Sequence, residues 1–323
     1  MSCYSPLMMY DTGMINPETG KHVFEFCGKA LTLNDPANKS LDEFVMVPCN
    51  RCIGCRLDYA RQWANRMVLE LLDNPDALFI TLTYDEEHVP FSDKGYRTVS
   101  VRDCQLFMKS LRKHFAGKKI RFFLASEYGP KTKRPHYHGI FYGLRMEDFP
   151  DLQLYKYNNL HQPLYISELL SKTLWKRGFC TIGSVSRDTC AYTARYVLKK
   201  LKGKDTSFYT ERGITPEFTL SSRRPGIGLG YFDNHKDYTD KISVFDGTET
   251  VSFPMPKKLF DKLIDVDPDL YYILKEARRA SASSSAWLEW QQSDLEYLEF
   301  LDMKETEMYK KIKGISGDTR LDI

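Results

Sequence analysis

Near the middle of the chain lies the segment Arg134-Pro135-His136-Tyr137-His138-Gly139-Ile140-Phe141-Tyr142. Its run of aromatic and apolar residues predicts a β-strand. Side chains two residues apart project from the same face of a strand, so His136 and His138 can offer their imidazoles to one metal ion. Tyr137 then points into the opposite layer. The segment therefore predicts a sheet with a metal site on one face.

A second apolar segment precedes this one and ends in a carboxylate, Phe122-Phe123-Leu124-Ala125-Ser126-Glu127. The turn-forming residues 129–135 join the two segments, and two antiparallel strands connected in this way bring Glu127 beside the histidines. Two imidazole nitrogens and one carboxylate oxygen suit Mg²⁺ or Mn²⁺ holding a phosphate. The alternative is a half-buried strand whose histidines are only solvated.

The order of elements around these segments indicates the fold class. Strands are predicted at 78–84, 120–127, 136–142 and 179–185, and helices at 101–115, 166–177 and 188–202, with residues 143–165 as a loop and Asp188 as the last helix's N-cap. The first six elements form a split βαβ arrangement, in which two helices cover one face of a four-stranded antiparallel sheet. We therefore expect an α+β fold of the ferredoxin-like or RRM-like type. Its central strand carries the histidines, and its other face receives the last helix and a nucleic acid.

The flanking regions predict additions to this core. Residues 1–48 are rich in turn formers and are predicted to be irregular, and an amphipathic helix follows at about 55–72. Residues 204–323 predict a mostly helical appendage with a Gly-rich turn, in which Arg223 and Arg224 can contact phosphate. The predicted domains are an N-terminal extension (1–76), a catalytic core (77–203) and a C-terminal region (204–323).

The charge of the chain is regional. The 323 residues carry a net charge of only +3, yet nine basic residues and one acid lie between 109 and 135, and five basic residues and no acid lie between 195 and 204. This pattern favours a footprint on a phosphate backbone over an ordinary solvated surface. The sequence has neither a signal peptide nor an apolar run long enough to span a membrane, which predicts a cytoplasmic protein with no membrane partner.

One group of the eight cysteines has the spacing of metal ligands. Cys49, Cys52 and Cys55 form two overlapping C-x-x-C steps, one thiolate short of a structural zinc site, and either Cys3 or Cys27 can supply the fourth. The alternative is a reduced cluster packed at the start of the following helix.

Tyrosines on the last predicted helix offer a nucleophile. Tyr192 and Tyr196 lie four residues apart and Lys199 three further, so a helix places them on one face, although such spacing is also typical of core packing. A phenol with a pKa of about 10 becomes a competent nucleophile when a metal polarises the phosphate and a cation such as Lys199 supports the developing phenolate. Attack on DNA would leave a 5′-phosphotyrosine and a 3′-hydroxyl that a polymerase can extend. Two tyrosines can then act alternately.

Three motifs together resemble those of the HUH endonucleases that start rolling-circle replication. They are Phe79-Ile80-Thr81-Leu82-Thr83-Tyr84, Pro135-His136-Tyr137-His138-Gly139 and Tyr192-x-x-x-Tyr196-x-x-Lys199. Within this class the chain is similar to the initiators of gokushoviruses, small single-stranded DNA phages, up to about residue 232. The runs that carry this similarity are 48–56, 61–64 and 222–228.

The resemblance implies metal binding by His136 and His138, with Glu127 at the position of an acidic third ligand, and nucleophilic attack by Tyr192 and Tyr196. It also implies nicking of the duplex replicative form at the viral origin, in the bacterial cytoplasm, with host helicase and DNA polymerase as partners. A non-catalytic nucleic-acid-binding module and a related transposase or relaxase are the alternative functions.

Overall fold

The computed structural model divides the chain into two compact units. One consists of Met1–Asp58 with Tyr272–Asp322, and the other of Tyr59–Tyr271. The structure describes residues 3–18, 22–29, 44–129, 132–158, 161–199, 206–235, 238–245 and 249–316. The division into regions 1–76, 77–203 and 204–323 stays a prediction.

The strands and helices have the following bounds. The strands are β1 Leu7–Ile15, β2 His22–Lys29, β3 Phe44–Val47, β4 Ala77–Thr83, β5 Arg121–Tyr128, β6 Pro135–Tyr142, β7 Gln153–Tyr157, β8 Pro163–Ile166, β9 Cys180–Ser184, β10 Thr219–Ser221, β11 Lys241–Phe245 and β12 Thr250–Pro254. The α-helices are α1 Ile53–Asp73, α2 Val101–His114, α3 Arg187–Arg195, α4 Ser207–Arg212, α5 Tyr231–Asn234, α6 Lys257–Val266, α7 Pro268–Gln291 and α8 Tyr297–Ser316. A π-helix spans Leu169–Trp175, and a 3₁₀ segment, Tyr196–Lys199, follows α3.

The larger unit is built on a seven-stranded antiparallel sheet with the order β10-β5-β6-β4-β9-β8-β7. Its central four strands, in the order β5-β6-β4-β9, are joined through α2 and the π-helix as the split βαβ arrangement requires. The predicted α+β fold is therefore confirmed, and the histidine strand β6 lies inside the sheet.

One face of this sheet forms the main core. Alternate residues of β4 (Leu78, Ile80 and Leu82) are buried against α2 and the π-helix, where Phe107 and Trp175 are also fully buried. The period-2 alternation of β4 sends the residues between them to the opposite face. That second face carries His136 and His138 and is contacted by α3.

Some element predictions were wrong. Residues 143–165 contain β7 and β8, because the fully exposed β7 is held by its ladder to β8 rather than by a buried face. The helix predicted at 166–177 is the shorter π-helix, preceded by β8. Ser186, rather than Asp188, caps α3: its hydroxyl accepts the Thr189 N–H at 3.2 Å.

The smaller unit also departs from expectation. Residues predicted to be irregular form a three-stranded antiparallel sheet with the order β2-β1-β3. Register shifts within β1 and its exposed last three residues explain why the sequence lacks a clear alternation there. Among the described residues, no helix combines the length and apolarity needed to cross a bilayer.

Candidate metal centre and tyrosine pair

Strand pairing brings the predicted Glu127, His136 and His138 together. The register of β5 against β6 sets Glu127 opposite His136, and His138 lies two residues further along the same face. Oε2 of Glu127 is 2.9 Å from Nε2 of His136 and 3.3 Å from Nε2 of His138. The three prospective ligand atoms lie within 4.8 Å of one another, so this cluster could hold one cation.

The second nitrogen of each imidazole is also engaged. Nδ1 of His136 lies 3.0 Å from the carbonyl oxygen of Arg134, and Nδ1 of His138 lies 3.1 Å from Oγ1 of Thr81. An Nδ1 proton donated to these oxygens leaves the Nε2 lone pair directed at the carboxylate, which is the tautomer that binds a metal. Because the Glu127 side chain is only 6% exposed, a positive partner is needed to offset its burial as a carboxylate. The donor set fits a divalent cation.

The two tyrosines lie over this cluster but differ in exposure. The Tyr196 ring stacks on the His138 imidazole, with centroids 4.2 Å apart and planes 6° apart. The Tyr192 ring lies edge-on, 6.3 Å from the same imidazole. Tyr192 is 46% exposed, whereas Tyr196 is 6% exposed. The structure thus places one phenol at the surface and the other beneath it.

The two hydroxyl groups are directly bonded, with Tyr196 donating to Tyr192. Burial, and then the proximity of Tyr192 and Glu127, raise the pKa of Tyr196 far above its ordinary value. The Tyr196 hydroxyl therefore keeps its proton at neutral pH and remains a donor. A hydrogen bond of this kind favours the phenolate form of its acceptor, Tyr192.

Neighbouring side chains also position Tyr192. The Phe79 ring lies 6.1 Å from the Tyr192 ring and parallel to the His138 imidazole at 5.9 Å. The Arg195 guanidinium lies 6.0 Å from the centroid of Tyr192. Sequence reasoning missed the contacts of Phe79 and Thr81. Their spacing of two on β4 indicated a shared face, but only the register shows that this face is the one with His138.

The backbone of Lys199 ends the 3₁₀ segment, and its side chain lies outside the described part of the chain. Its role as a supporting cation stays a prediction. In the smaller unit, the sulfur atoms of Cys3, Cys49, Cys52 and Cys55 lie within 4.8 Å of one another. The side chain of Cys27, the other predicted fourth ligand, is not among the described ones.

Comparison with known proteins gives a consistent family. A family model for replication-associated proteins of the ORF2 type matches residues 77–201. Replication-associated protein ORF2 of Spiroplasma virus 4 is 30% identical over 330 residues, which cover 98% of each chain. Replication-associated protein VP4 of Bdellovibrio phage phiMH2K is 34% identical over 67% of this chain and 66% of its own. Replication-associated protein ORF4 of Chlamydia phage 1 is 27% identical over 74% of this chain and 60% of its own. No solved structure matches.

A split βαβ sheet that carries a Glu-His-His cluster beside a tyrosine pair is the arrangement expected of an HUH-type rolling-circle initiator. With a full-length match, the chain belongs to the family of replication-associated proteins of single-stranded DNA phages. The predicted family is confirmed, and the family implies a role in replicating a phage genome.

Proposed function

We propose that the chain is a site-specific, metal-dependent DNA endonuclease and strand transferase. It nicks the viral origin through a covalent 5′-phosphotyrosine, and so initiates and terminates rolling-circle replication. The observation that carries this proposal is the position of two hydrogen-bonded tyrosine hydroxyls beside the cluster of Glu127, His136 and His138.

Glu127, His136 and His138 are the residues that would hold Mg²⁺ or Mn²⁺. Such an ion, when bound, polarises the scissile phosphate and neutralises part of its charge. The chain's own contribution is to aim both Nε2 atoms and the carboxylate at one point, with the hydrogen bonds at the two Nδ1 atoms holding the imidazoles in place.

The reaction exchanges one ester bond for another. The phenolic oxygen of a tyrosine attacks the phosphorus and its proton passes to water, while the bond from phosphorus to the 3′-oxygen breaks. That oxygen takes a proton and becomes the free 3′-hydroxyl, which primes the host polymerase. The 5′-phosphate stays on the tyrosine. Because the number of phosphoester bonds is unchanged, the reverse attack by a 3′-hydroxyl rejoins strands without ATP.

The exposure of the tyrosines supports an order of attack. Tyr192 is reachable from solvent and accepts the hydrogen bond from Tyr196, which favours its phenolate. Tyr196 must leave its stack on His138 before DNA can reach it. We therefore assign the first cleavage to Tyr192 and the second, after a round of synthesis, to Tyr196.

The proposed partners follow from this role. The origin is bound as single-stranded DNA and within the duplex replicative form, and basic residues at 109–135 and 195–204 supply phosphate contacts. A host helicase and DNA polymerase extend the nicked strand in the bacterial cytoplasm.

The test uses the full chain, Mn²⁺ and a tiled set of single-stranded oligonucleotides that span the viral genome, each labelled at its 3′ end. We expect one tile to give a labelled band that migrates with the protein in a denaturing gel, and peptide mass spectrometry to find the nucleotide on Tyr192 or Tyr196. The double variant Y192F/Y196F loses the band, whereas Tyr96→Phe, a similarly exposed tyrosine, keeps it.

Two results would reject the proposal. If the wild type binds the tiles with strong salt dependence but forms no adduct with any of them, it is a non-catalytic nucleic-acid-binding module. If its adducts form only with non-viral transfer-origin or transposon-end DNA, it is a relaxase or transposase.

A further inference from the structure

Four cysteines from distant parts of the sequence meet in the smaller unit. Cys3 precedes β1, Cys49 and Cys52 precede α1, and Cys55 lies in the first turn of α1. The Sγ atoms of Cys3 and Cys52 are 3.9 Å apart and those of Cys49 and Cys55 are 4.0 Å apart. A disulfide requires a separation of about 2.05 Å. All four are free thiols.

These separations match one tetrahedral ion. Four sulfur atoms at about 2.3 Å from a central zinc are about 3.8 Å from one another, because the edge of a tetrahedron is about 1.6 times its centre-to-vertex distance. The two measured distances, 3.9 and 4.0 Å, lie close to this edge. All four sulfurs lie within 4.8 Å of one another, as ligands of a single ion must.

The backbone around the cluster is arranged to stabilise thiolates. The Tyr4 N–H donates to Sγ of Cys52 at 3.3 Å, and the Cys49 N–H donates to Sγ of Cys3 at 3.3 Å. The Cys52 N–H donates to Sγ of Cys49 at 3.2 Å. Hydrogen bonds from N–H groups favour the charged form of an acceptor. The positive end of the α1 dipole, which begins at Ile53, adds to this effect.

The loop is shaped for this purpose. Asn50, between the first two cysteines of the C-x-x-C steps, adopts a left-handed conformation with φ of 57°. Asn is among the few residues that accept this region readily. The turn lets the N–H groups of Arg51 and Cys52 both point at Sγ of Cys49, at 3.4 and 3.2 Å.

We infer that Cys3, Cys49, Cys52 and Cys55 bind one Zn²⁺ ion as a closed structural site. Four protein thiolates complete the coordination of the ion and leave no position for water or substrate. Cys3 is 4% exposed and Cys55 is 9% exposed, which agrees with a structural rather than a catalytic role. The ion ties the segment before β1 to the first turn of α1, a link that spans about fifty residues of sequence.

The first measurement is the metal content of the full chain, purified from zinc-supplemented culture under reducing conditions. We expect one zinc per chain in the wild type and also in H136A/H138A, which removes two imidazoles of the other cluster. The variant C49A/C52A should lose this zinc. Iron in place of zinc, or zinc that disappears in H136A/H138A, would overturn the assignment.

The second measurement replaces zinc by Co²⁺ in the full chain. A tetrahedral sulfur site gives a thiolate-to-cobalt charge-transfer band in the near ultraviolet, which ligation by imidazole and carboxylate does not. We expect this band in the wild type, and its intensity should fall by about a quarter or more in Cys3→Ala, which removes one of four sulfur ligands. Cys180→Ala, at a buried cysteine outside the cluster, should leave the band unchanged.

Cys27 provides a discriminating variant. We expect Cys27→Ala to keep the full charge-transfer band, and loss of the band in Cys27→Ala but not in Cys3→Ala would overturn the ligand set. Should a variant fail to fold, alkylation of the wild type answers the same question. Zinc should protect Cys3, Cys49, Cys52 and Cys55 from iodoacetamide, and protection that includes Cys27 in place of Cys3 would reject the site. None of these readouts uses DNA, so they are independent of the proposed nicking reaction.

Discussion

At the residue scale, the His138 imidazole connects the two halves of the candidate site. Its Nε2 points at Glu127, its Nδ1 at Thr81, and its face at the Tyr196 ring. The side-chain alternation of the strand predicted the first of these directions. It did not predict the stacked tyrosine, because that contact joins residues 58 positions apart, on different elements.

The difference in exposure between the tyrosines gives a prediction about their order. Tyr192→Phe should reduce the first cleavage of single-stranded origin DNA by a hundredfold or more, on the order of the loss of a positioned nucleophile, since Tyr196 is held in its stack. Tyr196→Phe should still form the first adduct but fail to release a joined product. Gel assays of adduct formation and of strand joining measure the two steps separately. Equal first cleavage by both variants would contradict the assigned order.

The hydrogen bond of Thr81 leads to a second prediction. Thr81→Val keeps the shape of the side chain but removes the oxygen 3.1 Å from Nδ1 of His138. We expect Mn²⁺ affinity, measured by isothermal titration calorimetry, to fall roughly 10- to 100-fold, as is usual when the partner of a metal-binding histidine is lost.

The matched control is Thr83→Val, on the same face of β4. The Thr83 hydroxyl donates to the carbonyl of Phe179 at 2.6 Å and contacts neither imidazole nitrogen through a hydrogen bond shown for it. Its affinity for Mn²⁺ should remain within a few-fold of the wild type. A Thr81→Val variant with unchanged affinity would show that Thr81 does not orient His138.

At the element scale, a buried ion pair joins α1 to the edge of the sheet. Glu70 and Arg121 are 3% and 6% exposed and form a two-bond pair, with Nη2 of Arg121 3.0 Å from Oε2 of Glu70. The pair also holds the Gly-rich turn: Arg121 donates to the carbonyls of Pro225 and Gly226, and the Gly228 N–H donates to Glu70. The turn predicted from the glycines is thus anchored by a contact that the local sequence does not indicate.

Loss of one partner should be costly at this place. Glu70→Ala leaves the Arg121 guanidinium buried without its carboxylate, and we expect the free energy of unfolding to fall by about 3 to 5 kcal/mol. Denaturant titration measures this change. The control Glu168→Ala breaks the exposed pair with Lys172 and should cost no more than about 0.5 kcal/mol. Similar costs for the two variants would contradict the anchoring role.

The elements themselves were predicted unevenly, for a physical reason. The core strands β4, β5, β6 and β9 and the helix α2 were expected close to their observed bounds because buried, periodic residues mark them. The hairpin β7–β8 and the sheet β2-β1-β3 were missed, since pairing with a neighbouring strand, rather than a buried face, holds much of them.

At the scale of the whole molecule, the proposed Mg²⁺ or Mn²⁺ site and the inferred zinc site belong to different compact units. With zinc already bound, Mn²⁺ at 100 times its dissociation constant should stabilise the folded state by about 2.7 kcal/mol. We expect slower amide hydrogen exchange in the unit Tyr59–Tyr271, most clearly in β5 and β6, and little change in β1–β3. Exchange followed by mass spectrometry resolves the two.

The variant H136A/H138A is the control for this experiment. It should show no protection by Mn²⁺, because the proposed ligands are gone. Equal protection in the variant and the wild type, or protection of β1–β3 alone, would place the Mn²⁺ site elsewhere.

The sequence by itself determined the elements of the core, the strand that carries two histidines on one face, and the presence of a tyrosine pair and a cysteine group. These follow from periodicity and spacing within short segments. The tertiary structure alone decided the register that sets Glu127 beside His136, the burial of Tyr196 beneath Tyr192, and the meeting of Cys3 with Cys52. The last two depend on contacts between segments far apart in sequence, whose energies come from burial and pairing, and no local pattern specifies which partner is met.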